Sequence, residues 1–305
     1  DTTFVNDMIR SMLDMYDITG ELPIWPLASG ETGTMIGYHA ASVIADAYLK
    51  GIRGYDAEKA LDAMIRSSNI NKKGSDYYVV QGFIPSNIKR ESVSCTLEYA
   101  YDDWAISRMA GAMGRDDVAR EYAQRALNYA NVFDGSTCFF RGRGTDGNWS
   151  EPFEEFATGR DYTEATPWHY RFFVPHDVEG LAKLMGGRRK FVDKLQMVFD
   201  EGLYDPANEP DIAYAYLFSR FPGEEWRTQR EVRRLLDTCF TTAADGIPGN
   251  DDTGTMSAWA VFSMMGFYPD CPGEPYYTLT APVFDRVEIA TERGPLVIEA
   301  ERPAD

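Results

Sequence analysis

The chain has 305 residues, of which 44% are hydrophobic, and its 48 Asp and Glu outnumber 30 Lys and Arg to give a net charge of −18. This length and apolar content allow one large domain or two ordinary ones with a buried core. Because such an acidic surface repels phosphate backbones, nucleic acid is excluded as a natural partner. No apolar run is long enough for a membrane span, and the first residues indicate an amphipathic helix, not a signal peptide.

Helical periodicity dominates the rest of the chain, with glycines at the ends of many segments. After the first helix, helices are predicted at 35–50, 57–66, 94–113, 117–133, 178–185, 188–199, 212–221, 225–241 and 255–265. Strand-like patterns cover 138–143, 276–279, 287–290 and 296–300. Helix hairpins without alternating strands exclude a parallel α/β fold, and no fixed-period repeat indicates a solenoid. We therefore predict an all-α toroid of helix hairpins, with a few short strands at the C-terminal end.

Five long loops bring carboxylates or amides directly to a helix N-terminus, at 25–35, 162–168, 173–180, 205–212 and 245–259. An acidic residue before a helix is ordinarily an N-cap. In a toroid, however, alternate connections lie at the same end. We therefore expect these loops to surround one cavity.

Adjacent carboxylates make the last of these loops the most informative. Asp251 and Asp252 lie between glycines, and one N-cap requires only one of them. The spare acid is either a solvated turn residue, a general base that holds water, or an oxygen ligand for a cation such as Ca²⁺. Asn208 and Glu209 precede Pro210, which suits the first helical position, so Glu209 is the predicted N-cap or else an oxygen ligand.

Aromatic residues surround the remaining candidates. Glu164 precedes Trp168, Tyr170 and Phe172, and a carboxyl walled in by aromatic rings acquires the raised pKa that a general acid needs. The predicted substrate contacts are Trp25, Glu31, Trp168, His176 and Asp177. For the two tryptophans the alternative is core packing, and for His176-Asp177 it is a buried hydrogen-bonding pair. His39 lies on an apolar helix and is predicted to belong to the core.

Paired carboxylates near aromatic side chains, without a nucleotide-binding or nucleophile-elbow motif, are typical of glycoside hydrolysis. In that reaction one carboxylic acid protonates the leaving oxygen, and a second carboxylate activates water or attacks the sugar. A structural scaffold whose acidic loops only cap helices is the alternative from another class.

Several long motifs resemble glycoside hydrolase family 92, and they occur in the order WPLASGETGTMIGYHAASVIADAYLKGI, SCTLEYAYDDWAISRMA, YTEATPWHYRFFVPHDVEGLAKLMGG, NEPDIAYAYLF and DGIPGNDDTGTMSAWAVFSMMGFYP. The resemblance covers nearly the whole chain. It implies an (α/α)₆ barrel over 1–272 and a tail at 273–305 that packs on an N-terminal β-sandwich domain absent from this chain. It also implies a calcium-dependent, exo-acting and inverting α-mannosidase, secreted, periplasmic or at the cell surface, with a role in N-glycan degradation.

The resemblance assigns roles residue by residue. Glu164 matches the general acid, and Asp251 or Asp252, with Asp252 favoured, matches the base. Asn208 and Glu209 match the motif associated with Ca²⁺. The segment before Asn208 is shorter than usual for the family, which bears on the leaving-group side. The open alternatives are a non-catalytic glycan-binding fragment, another six-hairpin glycosidase or lyase, and a mannose-1-phosphate-6-mannose hydrolase; the last lacks the acid, so Glu164 favours an ordinary glycosidic linkage.

Overall fold

The structure is a computed structural model that describes residues 2–28, 30–70, 73–291 and 293–301. The chain forms two compact units, the first from residues 1–185 with 271–275 and the second from 186–270 with 276–305. Helices dominate both units, and the few strands form two-stranded antiparallel pairs. Within the described part of the chain, no helix combines the length and the apolar character that a bilayer crossing requires.

The first unit is built from eight helices and two short hairpins of the described residues. These are α1 (Thr2–Thr19), β1 (Pro26–Leu27), β2 (Gly30–Glu31), α2 (Ala40–Leu49), α3 (Ala57–Ser68), α4 (Ser75–Gln81), α5 (Ser92–Ala112), α6 (Asp116–Arg125), β3 (Phe133–Asp134), β4 (Phe139–Phe140), α7 (Pro167–Tyr170) and α8 (Val178–Leu184). A 3₁₀ helix, Ala126–Val132, continues α6.

Helix α5 is the centre of this unit. It is buried on nearly all sides, and α2, α3 and α6 pack against it. A helix in such a position is expected to be apolar all round. Helix α5 instead buries several carboxylates, each of which must find hydrogen-bond donors inside the protein.

One of these carboxylates is Asp103, which is fully buried and paired with Arg125. The Arg125 Nε donates to Asp103 Oδ2 at 2.9 Å, and the hydroxyls of Tyr38 and Tyr78 donate to the two oxygens at 2.7 and 2.9 Å. Burial raises the pKa of Asp103 to about 6, although Arg125 and the tyrosines act to lower it. The pair is thus held by several donors in the middle of the core.

The second unit contains fewer helices and the C-terminal strands. Its elements are α9 (Arg188–Asp200), two 3₁₀ helices (Glu209–Asp211 and Tyr214–Arg220), α10 (Glu225–Cys239), a 3₁₀ turn (Asp252–Gly254), α11 (Thr255–Met265), β5 (Phe267–Tyr268), β6 (Thr278–Leu279), β7 (Arg286–Ile289) and β8 (Leu296–Glu299). Strand β5 pairs with β6, and β7 pairs with β8 with Arg286 opposite Glu299.

Residues 271–275 pack with the first unit, although the sequence on both sides belongs to the second. The Tyr101 hydroxyl donates to the Pro272 carbonyl at 2.7 Å, and the Gly273 N–H donates to Asp46 Oδ1 at 2.9 Å. Glu274 pairs with Arg108 at 3.3 Å. The predicted boundary between 272 and 273 falls inside this segment; the expected packing of the tail on a β-sandwich stays a prediction.

Most predicted helices form, and their differences have local causes. The helix expected at 35–50 begins at Ala40, because Gly37 adopts a left-handed turn conformation with φ +78°. The segments expected as α-helix at 126–133 and 212–221 are largely 3₁₀ helix. The short α4, between left-handed Gly74 and Gly82, was not predicted because seven residues give too little periodicity.

We predict that Arg125→Met lowers the free energy of unfolding by about 3–5 kcal/mol, because it leaves a buried carboxylate without its cation. Arg189→Met, which breaks an exposed ion pair with Asp193 on α9, should leave that free energy almost unchanged. Urea unfolding of the two variants measures the difference. Equal stability of both variants would show that Asp103 does not depend on Arg125.

Candidate active site

The predicted site residues fall in both compact units. The first unit contains Trp25, Glu31, Glu164, Trp168, His176 and Asp177, and the second contains Asn208, Glu209, Asp251 and Asp252.

Glu164 projects from a loop that is anchored before it. The Asp161 carbonyl accepts from the N–H groups of Val93 and Ser94 at 3.0 and 3.3 Å, and the Thr163 N–H donates to Ser94 Oγ at 3.0 Å. Thr163 and Ala165 are buried, whereas Glu164 between them is exposed. Its φ of +50° lies in the left-handed region, which is unusual for a residue other than glycine.

The loop is also anchored after Glu164. The Tyr170 hydroxyl, on α7, donates to Glu98 Oε1 on α5 at 2.5 Å. Ser94 and Glu98 are one helical turn apart, so one face of α5 holds both ends of the segment that carries Glu164. Ser94 and Glu98 were not among the predicted site residues. The sequence feature that could have indicated them is the spacing of two polar residues four positions apart on a helix whose other residues are mostly buried.

Trp168 is buried instead of lining an open surface. Its ring packs edge-on against Phe139 at 5.1 Å and stacks with Phe156 at 6.4 Å, and the Arg171 guanidinium lies 4.5 Å from its centroid. Phe156 covers the ring and is itself 63% exposed. Sugar contact by Trp168 therefore stays a prediction.

Glu31 organises the first of the five loops. Its carboxylate accepts from the N–H groups of Ile24 at 2.7 Å, Trp25 at 3.0 Å and Gly33 at 2.9 Å. These bonds hold Trp25, a residue that remains 39% exposed, directly before the short β1–β2 hairpin. Glu31 supports the conformation of this loop; substrate contact by either residue stays a prediction.

His176 and Asp177 face different partners. His176 Nε2 lies 2.9 Å from the Ala126 carbonyl, and burial lowers the pKa of its ring to about 4, so the imidazole is neutral at neutral pH. Asp177 caps α8 by accepting from the Gly180 N–H at 2.9 Å and also accepts from the Tyr129 hydroxyl at 2.7 Å. Contact of either residue with substrate stays a prediction.

Asn208 and Glu209 open a 3₁₀ turn in the second unit. The N-cap is Asn208, whose Oδ1 accepts from the Glu209 N–H at 3.0 Å, so the prediction of Glu209 as the N-cap is wrong. A shorter side chain reaches the first free N–H more easily than Glu does. Two residues later Asp211 is fully buried; its Oδ2 accepts from the Asp205 N–H at 2.8 Å, while its Oδ1 has no hydrogen-bond partner among the described residues.

The donor set of this segment suits a hard cation, because amide and carboxylate oxygens are the ligands that Ca²⁺ takes. Within the described ranges, no three His, Cys, Asp or Glu side chains lie close enough together to hold a metal ion by themselves. A cation at Asn208 and Glu209 would thus depend on additional oxygen ligands, such as amides, backbone carbonyls, water or substrate.

Asp251 and Asp252 differ in environment. The Asp251 carboxylate accepts from the Ser257 N–H at 2.8 Å and from its hydroxyl at 2.7 Å, and these bonds lower the pKa of Asp251. The Asp252 side chain is exposed and makes no hydrogen bond to any residue of 2–28, 30–70, 73–291 or 293–301. Asp251 thus stabilises the start of α11, and Asp252 is the spare carboxylate.

Backbone strain marks this turn as well. Asp252 and Thr253 have φ values of +38° and +58°, so two successive residues with side chains adopt a left-handed conformation. Such a conformation costs free energy and persists where the surrounding structure requires it, often at a functional site. Glu164 and Asp252 share this property, and both side chains are exposed.

We predict that Asp251→Ala lowers Tm, because the two bonds to Ser257 at the start of α11 are lost. Asp252→Asn should leave Tm unchanged, since Asn tolerates the left-handed conformation and no hydrogen bond of the side chain is removed. Thermal unfolding followed by circular dichroism compares the two variants. Equal losses of Tm would mean that both aspartates are structural.

The sequence pattern described as the glycosyl hydrolase family 92 catalytic domain matches residues 1–305. A curated relative is an uncharacterized secreted glycosidase of Arthroderma benhamiae, which is 28% identical over 93% of this chain and 41% of its own length. The chain thus spans less than half of the relatives that it matches.

Two solved structures from Bacteroides thetaiotaomicron are similar to this chain. The family 92 α-mannosidase BT3965, in complex with mannoimidazole, has a TM-score of 0.95 and 33% identity over 100% of this chain and 43% of its own. The family 92 inverting mannosidase BT2199 has a TM-score of 0.89 and 34% identity over 97% of this chain and 44% of its own. These similarities confirm the predicted helical fold class and the glycoside hydrolase resemblance. The chain belongs to glycoside hydrolase family 92.

Proposed function

We propose that this chain is the catalytic part of an exo-acting α-mannosidase that removes terminal α-linked mannose from glycans with inversion of configuration. The observation that carries the proposal is the pair of exposed carboxylates, Glu164 and Asp252, both held in left-handed backbone conformations. Family membership and the mannosidase activity named for the solved relatives support the choice of sugar.

In the proposed reaction Glu164 is the general acid. It gives its proton to the glycosidic oxygen as the bond between that oxygen and C1 of mannose breaks. The bonds that hold Asp161, Thr163 and Tyr170 to α5 fix the loop that presents this carboxyl group. A fixed loop favours catalysis, because the proton must lie within hydrogen-bond distance of the leaving oxygen.

Asp252 is the proposed general base. It accepts a proton from water as the water oxygen bonds to C1 from the opposite face of the sugar, which inverts the anomeric configuration. Asp251 holds the turn that carries Asp252 through its two hydrogen bonds to Ser257, and the Asp252 side chain is exposed to the water that it would activate.

Ca²⁺ is the proposed cofactor, and Asn208 and Glu209 are the residues that would hold it. When bound, it would supply a positive charge beside the sugar, which would favour the distorted ring of the transition state. Asn208 and Glu209 offer an amide and a carboxylate oxygen, which are ligands that Ca²⁺ takes.

The proposed substrate is a mannose-containing glycan, which includes N-glycans, and the proposed location is outside the cytoplasm. The curated relative is named a secreted glycosidase, which supports this location. An N-terminal β-sandwich domain remains the proposed structural partner of the chain.

We predict that Glu164→Gln slows hydrolysis of α-linked mannobiose by at least about 10²-fold, the contribution typical of a general acid. An aryl α-mannoside with a dinitrophenolate leaving group should lose much less, since that group leaves without protonation. Steady-state kinetics on both substrates measures the effect. Glu179→Gln, a change in α8, is the matched control.

The anomer formed first identifies the stereochemistry of the same reaction. Proton NMR of the wild-type reaction should show β-mannose before mutarotation. If α-mannose forms first, the inverting mechanism is contradicted. If Glu164→Gln slows hydrolysis of both substrates equally, Glu164 is not the acid. Mannose binding without hydrolysis by the wild-type protein would make the chain a glycan-binding fragment.

We predict that EDTA abolishes hydrolysis and that added Ca²⁺ restores it. Asn208→Ala and Glu209→Gln should raise the Ca²⁺ concentration needed for half-maximal activity. Asn148→Ala removes an amide from an exposed turn of the first unit and should leave that concentration unchanged. Calcium-dependent Tm shifts give a second readout, and activity that survives EDTA would contradict the cofactor.

A further inference from the structure

A line of buried polar side chains runs along helix α5. Ser94, Glu98 and Asp102 are spaced four residues apart, so they lie on one face of the helix. All three are buried. Burying such polar groups costs free energy unless each one is hydrogen-bonded. Their hydrogen-bond partners therefore indicate which segments these side chains hold in place.

The partners come from two segments of the first unit. Ser94 Oγ accepts from the Thr163 N–H at 3.0 Å, and Glu98 Oε1 accepts from the Tyr170 hydroxyl at 2.5 Å. These two bonds enclose the segment that carries Glu164. Farther along the helix, Asp102 Oδ2 accepts from the Tyr38 N–H at 2.8 Å.

His39 joins the two carboxylates of the line. Its Nε2 lies 2.9 Å from Glu98 Oε2 and its Nδ1 lies 2.8 Å from Asp102 Oδ1. Because both neighbours are carboxylate oxygens, each ring nitrogen must donate a proton, which only the imidazolium form can do. Burial acts to lower the pKa of His39, but Asp102 and Glu98 outweigh it and raise the pKa well above its ordinary value.

The backbone next to His39 is shaped to fit the ring. Gly37 has φ +78°, and a Cβ at this position would lie 2.4 Å from His39 Nε2. Only glycine therefore allows the chain to pass beside the imidazole. The prediction that His39 belongs to the core is wrong: His39 is half-buried, and its charged ring lies between two carboxylates.

We propose that Glu98, held by His39, is a positioning residue for Glu164 and that it acts through Tyr170, with Ser94 acting on the other end of the loop through Thr163. This inference rests on the proposed function of Glu164 as the acid. Two anchors on one rigid helix fix where the carboxyl group lies relative to the leaving oxygen. Misplacement of a reacting group by about 1 Å is enough to cost on the order of 10²-fold in rate.

The test compares two substrates in Tyr170→Phe and Glu98→Gln. In both variants kcat on α-linked mannobiose should fall about 10-fold to 10²-fold, while kcat on the dinitrophenyl mannoside falls far less and KM changes little on either. Leaving-group dependence separates positioning of the acid from a general loss of structure. Ser94→Ala tests the other anchor and should show the same pattern.

The matched control is Tyr122→Phe. Tyr122 is also buried in the first unit, and its hydroxyl lies 2.7 Å from Ser68 Oγ and accepts from Asn69 Nδ2 at 2.9 Å, away from the 161–170 loop. Loss of the Tyr122 hydroxyl should change kcat on both substrates equally. If Tyr170→Phe behaves like Tyr122→Phe, or if neither substrate is affected, the positioning role is overturned.

A second measurement does not depend on activity. Amide hydrogen exchange at Thr163 should become faster in Tyr170→Phe and Glu98→Gln than in Tyr122→Phe, because the loop loses one of its anchors. A wild-type protein that cleaves neither mannoside would overturn the proposed function, and the exchange rates would then decide the anchoring by themselves. Unchanged exchange at Thr163 in both variants would overturn the proposed anchoring of the loop.

Discussion

The requirement that buried polar groups be hydrogen-bonded determines how the first unit is built. Helix α5 runs through the core, yet it carries Ser94, Glu98, Asp102 and Asp103. Each of these side chains accepts a hydrogen bond from another segment: the 161–170 loop, the turn before α2, or Arg125 at the end of α6. Because leaving any one unpaired would cost free energy, the polar groups of one helix specify where several loops must lie.

The two carboxylates proposed for catalysis differ from these buried groups in their exposure. Glu164 and Asp252 are exposed, and each adopts a backbone conformation that glycine would adopt with less strain. The residues Thr163 and Ala165 beside Glu164 are buried, and Asp251 beside Asp252 is bonded to Ser257. Backbone strain at a residue with an exposed carboxylate is expected where a side chain is retained for chemistry at some cost in stability.

Much of the helical architecture follows from the sequence, because long segments with a 3.6-residue period leave little choice of structure. Helix α11 has the predicted bounds, and α3 begins at the predicted residue, where Asp56 caps it. Short elements such as α4 carry too little pattern to be detected.

The candidate site was less accessible to sequence reasoning. Motifs indicated Glu164 and Asp252 but could not show that Trp168 is covered by Phe156 or that Glu31 bonds to the backbone of its own loop. Nor could they show that His39 bridges Glu98 and Asp102, because residues 59 and 63 positions apart meet only in the fold. An apolar helical pattern around His39 indicated the core, and the tertiary partners overrode it.

The segment 271–275 has a consequence for how the polypeptide is made. The first unit needs it to satisfy Asp46, Tyr101 and Arg108, yet the ribosome synthesises residues 186–270 beforehand. The amino-terminal portion therefore makes its last contacts only after most of the second unit has been synthesised. A fragment that ends at residue 185 would lack the contacts that residues 271–275 make with the first unit. No single division of the chain therefore separates the two units completely.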